Sequence, residues 1–326
     1  MMDKANRETP LLYTKHIQYE GDTFDVHDSL QTPQEKKNFI YIKGPVEAGF
    51  LAQINELFPM DHTVREDIIN THQRTKIEYK EEVLFATFNF IRLSDASLVQ
   101  HYASVVLYEE TMILFEPEGS GLFDALHSLI EKNRSARSKP VDYLFYHLLD
   151  VMTDQHLEVY KHLNEHALDY EEEVLENQTL NQEALYLVRK NLLRLKVIVE
   201  PVMEDFDKAH VLAPHLIRSE HTLYYDDLKD HLLRLMAHIN ETREMMRHLL
   251  DLNLNNQSQK MNRIMTTLTL FSAIFIPLSF LTGFFGMNFV HFELLEYEFA
   301  LIAFVAGSLF LAIGMVVLFR KMRWFD

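Results

Sequence analysis

The sequence contains no cysteine and is short of basic residues. Its 326 residues include 31 Lys and Arg against 48 Asp and Glu, which gives a formal net charge of -17. The absence of cysteine excludes disulfides and thiolate metal sites and is typical of a reducing, cytosolic environment. Because the acid excess leaves no broad basic surface, we exclude nucleic acid as a partner. The same excess is compatible with a protein that handles cations, although solubility alone explains it equally well.

Two functional signals are missing as well. The first 16 residues, MMDKANRETPLLYTKH, contain no apolar segment of signal-peptide length, so we expect the N-terminal part to stay on the cytosolic side of a membrane. The phosphate-binding pattern G-x-x-x-x-G-K-[ST] is also missing from the sequence, which argues against an ATP-driven pump. We therefore expect neither ATP nor an organic cofactor.

Charge is missing from two long segments near the C-terminus. Residues 264–290 and 299–319, which are 27 and 21 positions long, contain no Asp, Glu, Lys or Arg. About 20 apolar helical residues span a bilayer, so both segments predict transmembrane helices; a buried helix of a soluble core would carry a polar stripe. Basic residues flank the pair, whereas the loop between them carries Glu293 and Glu296 and no Lys or Arg. The positive-inside rule therefore places both termini in the cytosol.

The first of these segments has a stripe of mostly small or mildly polar residues. At steps of three or four positions the stripe contains Asn262, Met265, Leu268, Ser272, Ile276, Ser279, Gly283 and Gly286. Small residues let helices pack closely. Alternatively they line a narrow pore, in which Leu268 and Ile276 form a constriction that excludes water. Periodicity alone favours packing, and since one or two helices cannot enclose a pore, the pore interpretation requires a homo-oligomer.

The rest of the chain divides near Pro140. Before it, segments 38–44, 76–93 and 103–117 predict strands, and segments 45–58 and 121–133 predict helices. After it the signals are helical only: segments 141–176, 181–206 with a kink or stop at Pro201, and a third that starts at His221. No Pro or Gly occurs between His221 and Pro277, so the third helix should run into the first apolar segment unless Pro277 or the stretch NLNNQS (253–258) breaks it.

Two motifs in the charged part could hold metal ions. The stretch HLNEH matches the H-x-x-E-H zinc-hydrolase pattern, with His162 and His166 as ligands and Glu165 as base. On a strongly charged helix, a solvated face is the better interpretation. Acidic clusters around Asp67 and Asp227 supply the hard oxygen ligands that Mg²⁺ accepts, although surface carboxylates explain each cluster more simply.

The tripeptide Gly286-Met287-Asn288 has chemistry suited to a hydrated cation. Mg²⁺ dehydrates reluctantly, so it is best recognised through its water shell. The Asn288 amide oxygen and the unobstructed Gly286 backbone carbonyl are uncharged acceptors that could bind such an ion weakly enough to release it. Met287 is a soft thioether and is assigned to packing.

Residues 261–289, MNRIMTTLTLFSAIFIPLSFLTGFFGMNF, resemble the first transmembrane helix and G-M-N signature of the CorA family of magnesium/cobalt transporters. The similarity extends to VREDIINTHQRTKIEY, YYDDLKDHLLRL and the basic end FRKMRWFD. It implies an α+β cytosolic domain followed by a long α-helical stalk and two transmembrane α-helices, assembled as a homopentameric funnel in the lipid bilayer of the cell (inner) membrane. The implied boundaries are a cytosolic α/β domain at 1–136, long cytosolic helices and stalk at 137–262, a pore-lining helix at 263–289, an external loop at 290–298, a second transmembrane helix at 299–319 and a basic cytosolic tail at 320–326.

The resemblance also implies a function: influx of Mg²⁺, with Co²⁺ and Ni²⁺ as secondary ions, down the electrochemical gradient and under the control of cytosolic Mg²⁺. Mg²⁺ would then be both the transported and the regulatory ion. The alternative on the same fold is a transporter of Zn²⁺ or another transition metal, and the loop 290–298, which lacks the proline found in many family members, departs from the family pattern.

The residue roles implied by the resemblance fall into four groups. They are a selectivity filter of Gly286, Met287 and Asn288; a pore lining and gate of Asn262, Met265, Leu268, Ser272, Ile276, Ser279 and Gly283; an intersubunit regulatory Mg²⁺ site of Glu66, Asp67 and Asp227; and an external loop in which Glu293 and Glu296 attract cations.

Overall fold

The computed structural model describes residues 12–33, 35–94, 97–176, 182–287 and 299–322. The chain forms two compact units, Met1–His248 and Leu249–Asp326. The first contains a seven-stranded sheet with helices on both faces, and the second contains the most apolar helical segments.

The sheet begins near the N-terminus, and six of its seven strands form antiparallel hairpins. The strands are β1 (Tyr13–Glu20), β2 (Thr23–His27), β3 (Lys37–Lys43), β4 (Lys76–Lys80), β5 (Val83–Ser94), β6 (Ser97–Leu107) and β7 (Thr111–Glu116). Their order is β2-β1-β3-β7-β6-β5-β4, so β2 and β4 are the edge strands. Strand β3 pairs with β7 in parallel, while all the other neighbours are antiparallel.

Side-chain alternation along the strands directs two apolar faces toward two helical layers. On one face, Ile40 and Phe85 join a buried cluster with residues of α1 (Ala48–Leu57) and α2 (His62–Ile69). On the other face, Tyr41 stacks on Phe123 of α3 (Leu122–Lys132), with ring centroids 4.2 Å apart. The first unit is therefore a helix–sheet–helix sandwich, which confirms the α+β prediction.

Two predicted strand segments each form two strands. Segment 76–93 divides into β4 and β5 at Glu81 and Glu82, whose φ angles of 46° and 69° turn the chain. Segment 103–117 spans the end of β6 and all of β7. The sequence did not predict strands β1 and β2 or helix α2, because short segments rich in polar residues carry a weak periodic signal.

Long helices make up the rest of the described chain. They are α5 (Asp142–Leu175), α6 (Gln182–Leu212), α7 (Thr222–Phe285) and α8 (Ala300–Lys321), after the short α4 (Arg134–Ser138). Pro201 lies inside α6 and Pro277 inside α7, so neither proline ends its helix. The NLNNQS stretch is helical as well, which confirms a continuous 64-residue α7.

Helix α7 starts at a buried anchor on α5. The carboxylate of Asp142 accepts hydrogen bonds from the Arg218 backbone N–H at 3.0 Å and from His221 Nδ1 at 2.9 Å. The Tyr225 hydroxyl donates to the Asp142 carbonyl oxygen at 2.9 Å. Since the Asp142 side chain is 0% exposed and that of His221 is 4% exposed, these buried contacts anchor the start of α7 to α5.

Candidate functional site

The predicted pore-lining residues from Asn262 to Gly283 all lie on α7. The bulky members of the stripe are well exposed in the single chain, with Met265 at 59%, Leu268 at 65% and Ile276 at 67%. A Cβ atom added at Gly283 would meet no atom within 4 Å. The stripe is therefore an open surface of the protomer, available either to a neighbouring subunit or to an ion path.

Gly286 follows the last residue of α7 and continues the hydrogen-bond pattern of the helix. The Gly286 N–H donates to the Thr282 carbonyl at 2.9 Å, and a Cβ atom at Gly286 would lie 3.0 Å from that same oxygen. Met287 follows with 56% exposure. A helix C-terminus carries about half a unit of negative charge, so the last turn of α7 favours a nearby cation. Asn288, Glu293 and Glu296 lie outside the described residues.

Helices α7 and α8 are both long and apolar enough to cross a bilayer, judged by length and composition. Helix α8 has no buried residue, and Arg320 and Lys321 lie in its last turn. Phe285 of α7 contacts Phe304 of α8, with ring centroids 5.0 Å apart. The 22 residues of α8 would span about 33 Å at ~1.5 Å per residue, which matches a hydrocarbon core of ~30 Å.

The predicted regulatory carboxylates differ in exposure. Asp67 is on α2, whose N-cap residue Asp61 accepts a hydrogen bond from the Thr63 N–H at 2.8 Å. The Asp67 side chain is 13% exposed and forms an ion pair with Lys76 of β4 at 2.7 Å. Its neighbour Glu66 is exposed. Asp67 is therefore a shielded, partnered carboxylate rather than an ordinary surface acid.

Asp227, on the first turns of α7, lies in a cluster that sequence reasoning missed. Its side chain is 62% exposed and lies 3.8 Å from His231 one turn further along α7. Burial raises the pKa of Asp154 on α5, with the Asp150 charge adding to the effect and His231 opposing it. Burial also raises the pKa of Tyr146 to about 12, with contributions from the charges of Asp150 and Asp227. The α5 acids therefore share the electrostatic surroundings of Asp227.

A signal for the α5 acids was present in the sequence. Asp150 and Asp154 are one helical turn apart, and His147 precedes Asp150 by three positions and lies 3.5 Å from it. Such spacing places all three on one face of a helix. Nothing in the spacing, however, indicates which part of α7 faces them.

The residues of the zinc-hydrolase pattern bring two histidine rings together on α5. His162 and His166 lie side by side on α5, with ring centroids 4.6 Å apart. His166 also lies 4.0 Å from Asp169. Within the described ranges, no three His, Asp or Glu side chains are placed to hold one metal ion. Among the residues that the structure describes, His162 and His166 therefore have no third side chain placed to complete a zinc site.

The family comparison accounts for both the sandwich and the apolar helices. The model of the CorA-like Mg²⁺ transporter protein family matches residues 39–321. The chain belongs to this family. As a CorA-family member it is a membrane transporter of divalent cations, and the resemblance noted in its sequence is confirmed.

Individual relatives of this CorA-family chain carry two kinds of name. It is 29% identical over 290 residues to the cobalt/magnesium transport protein CorA of Thermotoga maritima, covering 88% of this chain and 83% of the relative. It is 21% identical over 229 residues to the zinc transport protein ZntB of Photorhabdus laumondii, covering 70% of each.

A solved structure shares the whole fold. The CorA magnesium transporter from Methanocaldococcus jannaschii superposes with a TM-score of 0.79 at 19% identity, covering 95% of this chain and 98% of that one. At this identity the likeness establishes the fold: an α+β unit, long helices and two apolar helices.

Proposed function

We propose that this protein is a homopentameric channel for Mg²⁺ influx, with Co²⁺ and Ni²⁺ as secondary ions. The observation that carries the proposal is α7 itself, which is one helix from Thr222 to Phe285 with an exposed, uncharged stripe that ends at Gly286. Five copies would turn a one-sided stripe into the lining of a closed path. The cobalt/magnesium transporter relative, which covers most of the chain, supports Mg²⁺ as the ion.

The stripe suits an ion that keeps its water. Its members offer hydroxyl, amide and backbone oxygens and no carboxylate, so a hydrated Mg²⁺ would be bound weakly and could move on. Leu268 and Ile276 would form the constriction that closes the path by excluding water. The membrane potential, inside negative, supplies about 2.3 kcal/mol per charge per 100 mV, so no ATP is needed.

Glu66, Asp67 and Asp227 are proposed to hold a regulatory Mg²⁺ between neighbouring subunits. Their chemistry fits a hard cation, because all three side chains end in carboxylate oxygens and Glu66 and Asp227 are exposed. When the site is empty, the like charges of two subunits repel and loosen their contact. Since Asp227 and the stripe are on the same helix, loosening at one end of α7 can relax the constriction. We place the helices in the inner membrane with both termini in the cytosol.

The filter assignment is tested by Mg²⁺ flux into proteoliposomes. Asn288→Ala should abolish most of the flux, whereas Leu278→Ala, which changes a residue of α7 off the stripe, should retain it. Unchanged flux in Asn288→Ala would remove this residue from the filter. The regulatory site is tested in the same vesicles, where Asp67→Asn combined with Asp227→Asn should leave conduction poorly inhibited by Mg²⁺ on the cytosolic face.

The second candidate is Zn²⁺ transport, which the similarity to ZntB favours. It predicts that Zn²⁺ enters the same vesicles and that Mg²⁺ competes poorly with it. If Mg²⁺ blocks Zn²⁺ entry at equal concentration and is itself transported, the first proposal stands. The intact Gly286-Met287-Asn288 tripeptide, with its uncharged oxygen acceptors, favours Mg²⁺ over softer ions.

A further inference from the structure

The carboxylate proposed to sense Mg²⁺ already has a positive partner in its own chain. Lys76 Nζ donates to Asp67 Oδ2 at 2.7 Å and to Glu78 Oε2 at 3.2 Å. The side chains of Lys76 and Asp67 are only 12% and 13% exposed. Salt screens such a shielded pair much less than a surface pair. Lysine is charged at neutral pH, so a divalent cation that approaches Asp67 meets this ammonium group.

The contact is built into the fold and does not depend on a chance side-chain position. Lys76, Glu78 and Lys80 alternate along β4 and so point to one face of this edge strand, toward α2. Lys80 Nζ donates to Thr63 Oγ1 at 2.8 Å, one helical turn before Asp67. The two lysines therefore hold α2 at two points, and Lys76 is the one that reaches the carboxylate.

A third contact fixes the backbone beside the carboxylate. The Tyr102 hydroxyl of β6 donates to the Asp67 carbonyl oxygen at 3.2 Å. Within the described ranges, Asp67 Oδ2 is occupied by Lys76, and Oδ1 is the oxygen left for another ligand. A cation therefore has to share Asp67 with Lys76 or displace it.

We propose that Lys76 is a built-in competitor of the regulatory cation and sets the Mg²⁺ concentration at which the intersubunit site fills. This inference rests on the proposed regulatory role of Asp67. The ammonium group lowers the affinity of the site in two ways: it repels the divalent ion, and it occupies one carboxylate oxygen. Coulomb repulsion between a single and a double charge ~4 Å apart corresponds, even at the dielectric constant of water, to a change in affinity of about tenfold or more.

The test titrates the full-length protein in detergent with Mg²⁺ and measures its resistance to limited proteolysis at each concentration. A bound ion stabilises the state that binds it, so the resistance should rise as the site fills. Lys76→Gln removes the charge but keeps an amide donor for Asp67, and it should lower the half-protecting Mg²⁺ concentration by about tenfold. Lys76→Arg keeps the charge and should leave the midpoint near that of the wild type. Lys80→Gln is the matched control, because Lys80 is on the same strand face but pairs with Glu78 at 2.9 Å.

Two further results separate this inference from the proposed function. In an Asp67→Asn background, Lys76→Gln should no longer shift the midpoint; a shift that persists there would overturn the competition. If the wild type responds to Mg²⁺ but Lys76→Gln and Lys80→Gln shift the half-protecting Mg²⁺ concentration equally, the role of Lys76 is overturned and the sensor is left intact. A wild type whose digestion ignores Mg²⁺ would overturn the sensor and the role of Lys76 with it. A cooperative thermal unfolding transition of Lys76→Gln without Mg²⁺, close to that of the wild type, shows that the variant is folded.

Discussion

Replacing Asp142 with alanine should release the start of α7 from α5. The substitution removes the acceptor for the Arg218 N–H and for His221 Nδ1, which lie 3.0 and 2.9 Å from the carboxylate. Each hydrogen bond to a charged group contributes about 1.5–3 kcal/mol, so two of them set an upper bound near 6 kcal/mol. Within the described ranges, however, Asp142 Oδ1 is buried without a hydrogen-bond partner. Alanine removes the cost of burying that unpartnered oxygen, so we expect the free energy of unfolding to fall by about 3 kcal/mol in total.

The assay is thermal unfolding of the full-length protein in detergent. For a unit of the size of Met1–His248, a loss of about 3 kcal/mol lowers the unfolding temperature by about 6–12 °C. Asp142→Asn keeps one acceptor oxygen and should fall between alanine and wild type. Glu110→Gln is the control, because the Glu110–Arg218 pair at 3.3 Å involves the same arginine but is 49% and 38% exposed and should contribute little. If Asp142→Ala lowers the unfolding temperature no more than Glu110→Gln does, the Asp142 anchor does not hold α7.

The remaining predictions concern acid stability and the constriction. Burial lowers the pKa of His156 to about 4, so protonation favours unfolding: stability is complete above pH ~6.5 and falls by about 3 kcal/mol as the pH drops to ~4. His156→Leu should remove this part of the acid-induced loss in the free energy of unfolding, measured by urea titration at several pH values. An unchanged slope of the free energy of unfolding against pH would contradict the role of His156. The control is His248→Leu, which changes an exposed histidine. Leu268→Asn or Ile276→Asn should let water into the proposed constriction and give Mg²⁺ flux that persists at high cytosolic Mg²⁺. Leu278→Asn, off the stripe, should not, and equal leakage from all three variants would refute the proposed gate.

The sequence predicted the long helices better than the sheet. An uninterrupted segment from His221 to Pro277 predicts one helix by the absence of breakers alone, and α7 is that helix. Pro277 leaves the Ala273 carbonyl without its N–H partner, which kinks or ends many helices; an apolar environment makes the alternative, an irregular backbone, even less favourable. The strand pairs were harder to separate, because the turn at Glu81 and Glu82 uses positive φ angles without the glycine or asparagine that normally marks them.

The candidate site was predictable in its residue types but not in their surroundings. Acid clusters and the G-M-N tripeptide can be identified from chemistry and motif. The partner of Asp67 could not be, because Lys76 is nine positions away on a different element, and the contact exists only after α2 docks on β4. The same holds for Asp154, which comes near His231 only through the packing of α5 beside the start of α7.

These surroundings suggest how the proposed sensor and the proposed conduction path could handle the same ion with two different chemistries. A sensor has to hold a divalent cation, so it needs carboxylates, but carboxylates without a positive partner would fill at a lower cytosolic Mg²⁺ concentration. Lys76 beside Asp67 reduces the net charge that the ion meets and so lowers the affinity of the proposed site for Mg²⁺. A conduction path has to release the ion, and the α7 stripe from Asn262 to Gly286 carries no acid at all. On this argument, adding a carboxylate to the stripe should trap Mg²⁺ in the path, and removing the Lys76 charge should close the protein at a lower Mg²⁺ concentration. In both cases a more negative net charge raises the affinity for Mg²⁺ and reduces transport.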